Sequence, residues 1–271
     1  MSDSLSLKRR LEAGQSALGV WLELGSPTVA ELLAGVGYDF ALMDMEHGPH
    51  SIGDCVAMMQ AMGNTRACLP VVRVPWNDHV IIKRVLDAGA RGVMVPSVSS
   101  AEEAKAAVAA CRYPPRGRRG IATSVVRASA YGLQLEEYLE RFEEEELLVI
   151  CQIETRQAVE NIEAIAAVEG LDVLFIGPND LAADAGFFND LEAPEVEGLI
   201  ARVEEAAVAA GLILGGIVNP GRRLEQLAAK GYRMILQDAD TALLRDGALA
   251  SLTRQRARLA AASQVTATAG T

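Results

Sequence analysis

Short unbroken apolar runs recur along this chain, and the stretches between them carry apolar residues three and four positions apart. The runs at residues 17–24, 39–47, 69–74, 92–95, 147–153, 173–176, 212–218 and 233–236 read as strands buried on both faces. The stretches between them read as helices, several of which open on a recognisable cap. Ser26-Pro27 pairs an N-cap with a proline at the first helical position, and Ser51-x-x-Asp54 and Ser100-x-x-Glu103 have capping-box spacing. Asn77-Asp78 opens a further helix, and Gly35 and Gly37 close the first one. Val159, Ile162, Ile165 and Ala166 form one helical stripe between the fifth and sixth runs. Strand, helix and strand joined in this way form a right-handed crossover, which leaves the strands parallel with their carboxyl ends on one face. Eight such strands, with no linker and no second composition regime, predict an α/β fold: a single (β/α)8 TIM barrel over residues 1–262. No glycine-rich phosphate fingerprint follows the first run, which disfavours an open dinucleotide-binding sheet.

Two stretches break the alternation. Prolines, glycines and arginines remove all periodicity from residues 112–131, and a loop of that length in a compact domain is usually functional; an acidic helix follows at 135–146. The last helical region, 241–262, carries Leu243, Leu244, Leu249, Leu252 and Leu259, with Gly247 as a break. Its leucines are expected to pack on the barrel or on a neighbouring subunit. Residues 263–271 read as a disordered tail.

Composition narrows the function. The chain has 271 residues, 50% hydrophobic and 23% charged, enough for one large core. A net charge of -11 argues against nucleic-acid partners, since phosphate binding needs clustered Lys and Arg. The first ten residues lack a leader-like apolar region and no run could span a bilayer, so a soluble, cytoplasmic protein without membrane contact is expected. Cys55, Cys68, Cys111 and Cys151 are scattered and read as reduced packing residues.

In a barrel, chemistry gathers at the strand carboxyl ends, here Glu23, Asp44, Glu46, His47, Arg73, Gln152, Glu154 and Asp180. Glu154 and Asp180 end adjacent strands. Either acid alone reads as a helix-terminal residue, but together they are two hard oxygen donors suited to Mg²⁺ or Mn²⁺. His47 is the best placed of the three histidines for acid/base work, although a lone His after a strand also reads as structural; His50 reads as a loop residue and His79 as an exposed helix start. Arg73 lies inside an apolar strand, where it needs an anion. That anion is either a neighbouring acid such as Asp44 or the developing oxyanion of a substrate. The loop arginines Arg112, Arg116, Arg118 and Arg119 read as a solvated or intersubunit surface, with anionic substrate as the alternative.

These residues fall into segments that together resemble the HpcH/HpaI-type metal-dependent pyruvate aldolases, which include 2-keto-3-deoxy-sugar-acid and 4-hydroxy-2-oxoheptanedioate aldolases. The segments are Gly19-Val20-Trp21, Asp44-Met45-Glu46-His47, Pro70-Val71-Val72-Arg73, Trp76-Asn77-Asp78, Tyr113-Pro114-Pro115 with Arg119-Gly120, Gln152-Ile153-Glu154-Thr155 and Phe175-Ile176-Gly177-Pro178-Asn179-Asp180. The resemblance implies a barrel of the phosphoenolpyruvate/pyruvate superfamily with Glu154 and Asp180 holding Mg²⁺, Mn²⁺ or Co²⁺. It implies catalytic roles for His47 paired with Asp87, for Arg73 and for Asp44. Trp21, Gln152, Gly177, Pro178, Asn179 and Asp180 would bind substrate. The reaction implied is reversible cleavage of a 4-hydroxy-2-keto acid to pyruvate and an aldehyde through a metal-bound pyruvate enolate. The assembly implied is a homohexamer, a trimer of dimers, with the last helix exchanged between subunits.

The chain departs from its relatives where the aldehyde should bind, at Gly48-Pro49-His50, Leu214 to Asn219 and Gln237-Asp238-Ala239-Asp240. A Schiff-base mechanism is excluded, since Lys8, Lys83, Lys105 and Lys230 all fall in the N-terminal segment or in helices and their ends. Two alternatives stay in view: a citrate-lyase-β-like C–C lyase acting on a CoA thioester, and a catalytically silent barrel that binds a 2-keto acid.

Overall fold

The computed structural model describes residues 6–63 and 68–269, the side chains of 263–269 excepted. It begins with α1 (Leu7–Glu12), β1 (Ala17–Leu22), α2 (Pro27–Val36), β2 (Phe40–Asp44) and α3 (Ile52–Met62). Next come β3 (Leu69–Arg73), α4 (His79–Asp87), β4 (Gly92–Val95) and α5 (Ala101–Cys111). A short 3-10 turn, Arg127–Ser129, leads to α6 (Leu135–Arg141), a π-helical turn (Phe142–Glu146) and β5 (Leu148–Ile153). Then follow α7 (Arg156–Glu160), α8 (Ile162–Ala166), β6 (Val173–Ile176), α9 (Pro178–Asp184) and α10 (Pro194–Ala210). The chain closes with β7 (Ile213–Ile217), α11 (Leu224–Ala229), β8 (Tyr232–Ala239) and α12 (Asp240–Ala269). All eight strands pair in parallel and in sequence order, and β8 returns to β1, so the expected closed barrel is what forms.

Local signals account for the element ends. Ser26 accepts from the N–H of Val29 ahead of Pro27, and Gly37 ends α2 in the left-handed region at φ 111°. Ser51 and Asp54 form a full capping box, while Asp78, Ser100 and Thr155 each cap the helix that follows. The stripe expected to form one helix is split at Asn161, whose side chain donates to the carbonyl of Ser99 instead of facing solvent. Gly247 does not break α12, which runs on past Ser263, where the sequence placed the tail.

Two cores result. One lies between the strands and the surrounding helices, and all four cysteines are buried in it. The other fills the barrel with Ala17, Trp21, Phe40, Leu42, Val71, Met94, Leu148, Ile150, Val173, Phe175, Met234 and Leu236. Its large rings need small neighbours. A Cβ on Gly19 would lie 2.2 Å from the Phe40 ring, and one on Gly215 would lie 2.6 Å from Phe175. The end of the barrel where the strands begin is sealed by α1. Leu7 and Leu11 join the inner core, and Lys8 forms a buried 2.6 Å ion pair with Asp172, which also accepts from the N–H of Val149. No helix among the described residues is long and apolar enough to cross a membrane.

Candidate active site

Side chains on a strand alternate between barrel and helix layer, and this alternation turns Asp44, Arg73 and Gln152 inward at the carboxyl ends of β2, β3 and β5. Asp44 and Arg73 are also register partners across β2 and β3. The guanidinium grips the carboxylate with both edges, Nε to Oδ1 at 2.9 Å and Nη2 to Oδ2 at 2.6 Å. Asp44 is fully buried, and its Oδ1 also accepts from the N–H groups of Glu46 (3.0 Å) and His47 (3.3 Å), which shapes the turn beyond β2. Burial pushes the Asp44 carboxyl upward, but the hydrogen bonds and charge of Arg73 outweigh it and hold it below its usual range. Arg73 Nη1 reaches Gln152 Oε1 at 3.4 Å and makes an ion pair with Glu46 at 3.0 Å. The guanidinium lies over the Trp21 ring at 4.4 Å. Of the two sequence readings of Arg73, the ion pair with Asp44 is the one the structure shows.

Glu154 stands beside this pair. Its Oε1 accepts from the N–H (2.7 Å) and hydroxyl (3.0 Å) of Ser97, in the loop after β4, and its Oε2 accepts from Gln152. Oε2 faces Gly177, where a Cβ would approach to 2.6 Å, so only glycine lets the start of α9 lie this close. Asp180 follows in the first turn of that helix, exposed together with Asn179. Burial raises the Glu154 carboxyl, and the negative charge of Asp180 raises it further. Glu46 is raised as well, by burial with Glu154 contributing against the opposing charge of Arg73, and its buried Oε2 meets Arg73 as an ion pair without hydrogen-bond geometry. Among the described residues no group of three or more His, Cys, Asp and Glu forms a closed metal cage. Glu154 and Asp180, which feel each other's charge, are two hard oxygen donors, a donor set that fits a hard cation keeping positions for water and ligand.

The histidines divide as follows. His47 is exposed on the turn after β2, at the mouth, and His79 is exposed at the start of α4. His50, read from sequence as a loop residue, is instead buried, and neither ring nitrogen has a hydrogen-bond partner. Its ring packs against Gly48, where an added Cβ would come within 2.6 Å of it, and its own Cβ lies against Gly25, where an added Cβ would come within 2.9 Å. Burial lowers its pKa below the usual 6.5 despite the charges of Asp44, Asp54 and Asp240. Nothing in the pattern Gly48-Pro49-His50 distinguishes this from an exposed loop.

One pairing implied by resemblance is not made within the chain. Asp87 ends α4, just ahead of the point where the N–H of Arg91 bonds to Pro70 at the start of β3. That is the end of the barrel away from His47, about 13 Å along the helix from its start. Asp87 bonds to Arg119 at 2.7 Å, and that guanidinium is buried over Tyr113 and Phe142. Two of the other three loop arginines are likewise engaged away from the mouth: Arg112 donates to the carbonyls of Glu143 and Gly170, and Arg116 pairs with Glu143 and Glu144, whereas the Arg118 side chain is exposed.

The chain as a whole is similar to known proteins. Residues 17–246 fit the model of the HpcH/HpaI aldolase/citrate lyase family. The chain belongs to that family. A 4-hydroxy-2-oxovalerate aldolase of Novosphingobium aromaticivorans is 44% identical over 94% of this chain and 96% of its own length. A 4-hydroxy-2-oxo-heptane-1,7-dioate aldolase of Salmonella dublin is 40% identical over 92% of this chain and 94% of its own. The crystal structure of an HpcH/HpaI aldolase/citrate lyase family protein from Burkholderia cenocepacia superposes with a TM-score of 0.87 at 38% identity, covering 93% of this chain and all of that one. This member of the HpcH/HpaI family is a carbon–carbon lyase, a class II aldolase.

Proposed function

We propose that this family member uses a divalent cation, Mg²⁺, Mn²⁺ or Co²⁺, to cleave a 4-hydroxy-2-keto acid reversibly into pyruvate and an aldehyde. The reading is supported by Glu154, which lies beyond the end of β5 within the field of both Arg73 and Asp180, the latter in the first turn of α9 after the adjacent strand β6. A cation held by those two carboxylates supplies Lewis acidity to the keto acid.

The chain's own residues do the rest. Arg73, held in place by Asp44, Gln152 and Trp21, stabilises the negative charge that develops on the keto oxygen as the C–C bond breaks. Backbone N–H groups of Asn179 and Asp180, in the first turn of α9, take the pyruvate carboxylate. His47, exposed at the mouth, moves the proton of the 4-hydroxyl by way of water. A pairing of His47 with Asp87 needs an Asp87 from another copy, in keeping with a homo-oligomer. The CoA-thioester alternative loses support, because three of the four arginines that would meet the diphosphate, Arg112, Arg116 and Arg119, are already paired on the outer wall.

Pyruvate release from a panel of 4-hydroxy-2-keto acids, with 4-hydroxy-2-oxovalerate and 4-hydroxy-2-oxoheptanedioate first, tests the proposal. Activity should vanish after chelation, return with Mg²⁺, Mn²⁺ or Co²⁺, and be absent in Glu154→Ala. Turnover indifferent to chelator and mutation would sink the metal mechanism.

A further inference from the structure

Ser97 has an uncommon conformation. It adopts φ 53°, a left-handed backbone that L side chains rarely take, two residues after β4 ends. That conformation caps no helix, since α5 is capped by Ser100. Its visible product is the double donation to Glu154 Oε1, from N–H at 2.7 Å and from the hydroxyl at 3.0 Å. The loop is then tied to the segment carrying Glu154. The hydroxyls of Ser99 and Thr155 meet at 2.8 Å, Asn161 donates to the Ser99 carbonyl at 2.9 Å, and Glu103 accepts from the Ser99 N–H at 2.7 Å.

We infer that Ser97 is a positioning residue for the metal ligand: it holds Oε1 of Glu154 and, with Gln152 donating to Oε2, fixes the carboxylate with Oε2 turned toward the start of α9 and Asp180. The geometry on the other side agrees, because Oε2 is the oxygen that faces Gly177, three residues before Asp180. A carboxylate free to rotate would present either oxygen, and ordering it would then count against cation binding. Outer hydrogen-bond partners of metal ligands commonly change affinity by about 10- to 100-fold. The inference rests on the metal reading above and goes further by assigning a residue and a direction.

The test is Mn²⁺ affinity, read by electron paramagnetic resonance, together with the melting temperature of the metal-free protein. Ser97→Gly removes the hydroxyl and accepts the positive φ without strain, and Ser97→Ala removes the same hydroxyl while keeping the strain. Both variants should bind Mn²⁺ about tenfold more weakly, with metal-free Ser97→Gly melting no lower than wild type. Unchanged affinity in both variants overturns the role. So does an affinity loss that appears only alongside a lower melting temperature in Ser97→Gly, since that would mark general loosening. Glu154→Gln separates the two levels: if it binds Mn²⁺ as wild type does, the metal reading itself fails, whatever the serine variants show.

Discussion

Arg73 joins a folding role to the chemistry proposed for it. Its grip on Asp44 removes a buried charge from isolation, and its remaining nitrogen, Nη1, lies between Gln152 and Glu46. Arg73→Lys keeps the charge but loses the bidentate fit and the stacking over Trp21. We expect kcat to fall on the order of 10²- to 10³-fold with a smaller change in KM, measured by steady-state pyruvate release. Arg73→Met should also lower folding stability by about 3–5 kcal/mol in denaturant titration, because Asp44 would stay buried and unpaired. His50 predicts a pH effect. Since its folded pKa is lowered, the unfolded chain takes up a proton first as the pH falls below the usual 6.5. The stability linked to neutral His50 is therefore present above that value and lost toward acid. His50→Phe should flatten the fall in melting temperature between about pH 7 and pH 5, and an unchanged slope would show that other groups set it. The Asp44–Arg73 pair was legible in the sequence because an arginine inside an apolar strand requires an anion. The burial of His50 and the twist at Ser97 were not, since both depend on loops that meet only in the closed barrel.

At the level of elements, apolar runs and caps were sufficient to find all eight strands, with β4 and β6 placed to the residue. The misses have physical reasons. β8 continues to Ala239 because its ladder with β1 persists through Asp238 and Ala239, although polar Gln237 and Asp238 end the apolar run. The helix α1 escaped notice because it is short, and its two buried leucines acquire meaning only against the open end of a barrel. Glycines at tight contacts give the sharpest tests here. Gly19→Ala pushes a methyl group into the Phe40 ring and should lose about 1–3 kcal/mol in chemical denaturation. Gly177→Ala should instead act on chemistry, since its Cβ meets Glu154 and Gln152. We expect weaker Mn²⁺ binding and slower pyruvate release, while equal affinity would show that the start of α9 can shift aside.

For the molecule as a whole, the net charge and the barrel pattern pointed to a small-molecule enzyme, and the family match agrees. What the sequence of one chain does not show is which contacts cross between chains. Along α12, Leu243, Leu244, Leu249 and Leu252 stand exposed, an apolar surface that a second copy would cover. The protein should sediment as a species larger than a monomer, and Leu244→Asp combined with Leu252→Asp should shift it toward monomer. The position of Asp87 then carries a consequence for how activity is measured. With His47 at one end of the barrel and Asp87 near the other, an acid/base pair of the two forms only where two copies meet. Where the proposed His47–Asp87 pair carries turnover, the rate per chain depends on dilution: a sample thinned below the dissociation constant of the assembly would keep its barrel and still slow down.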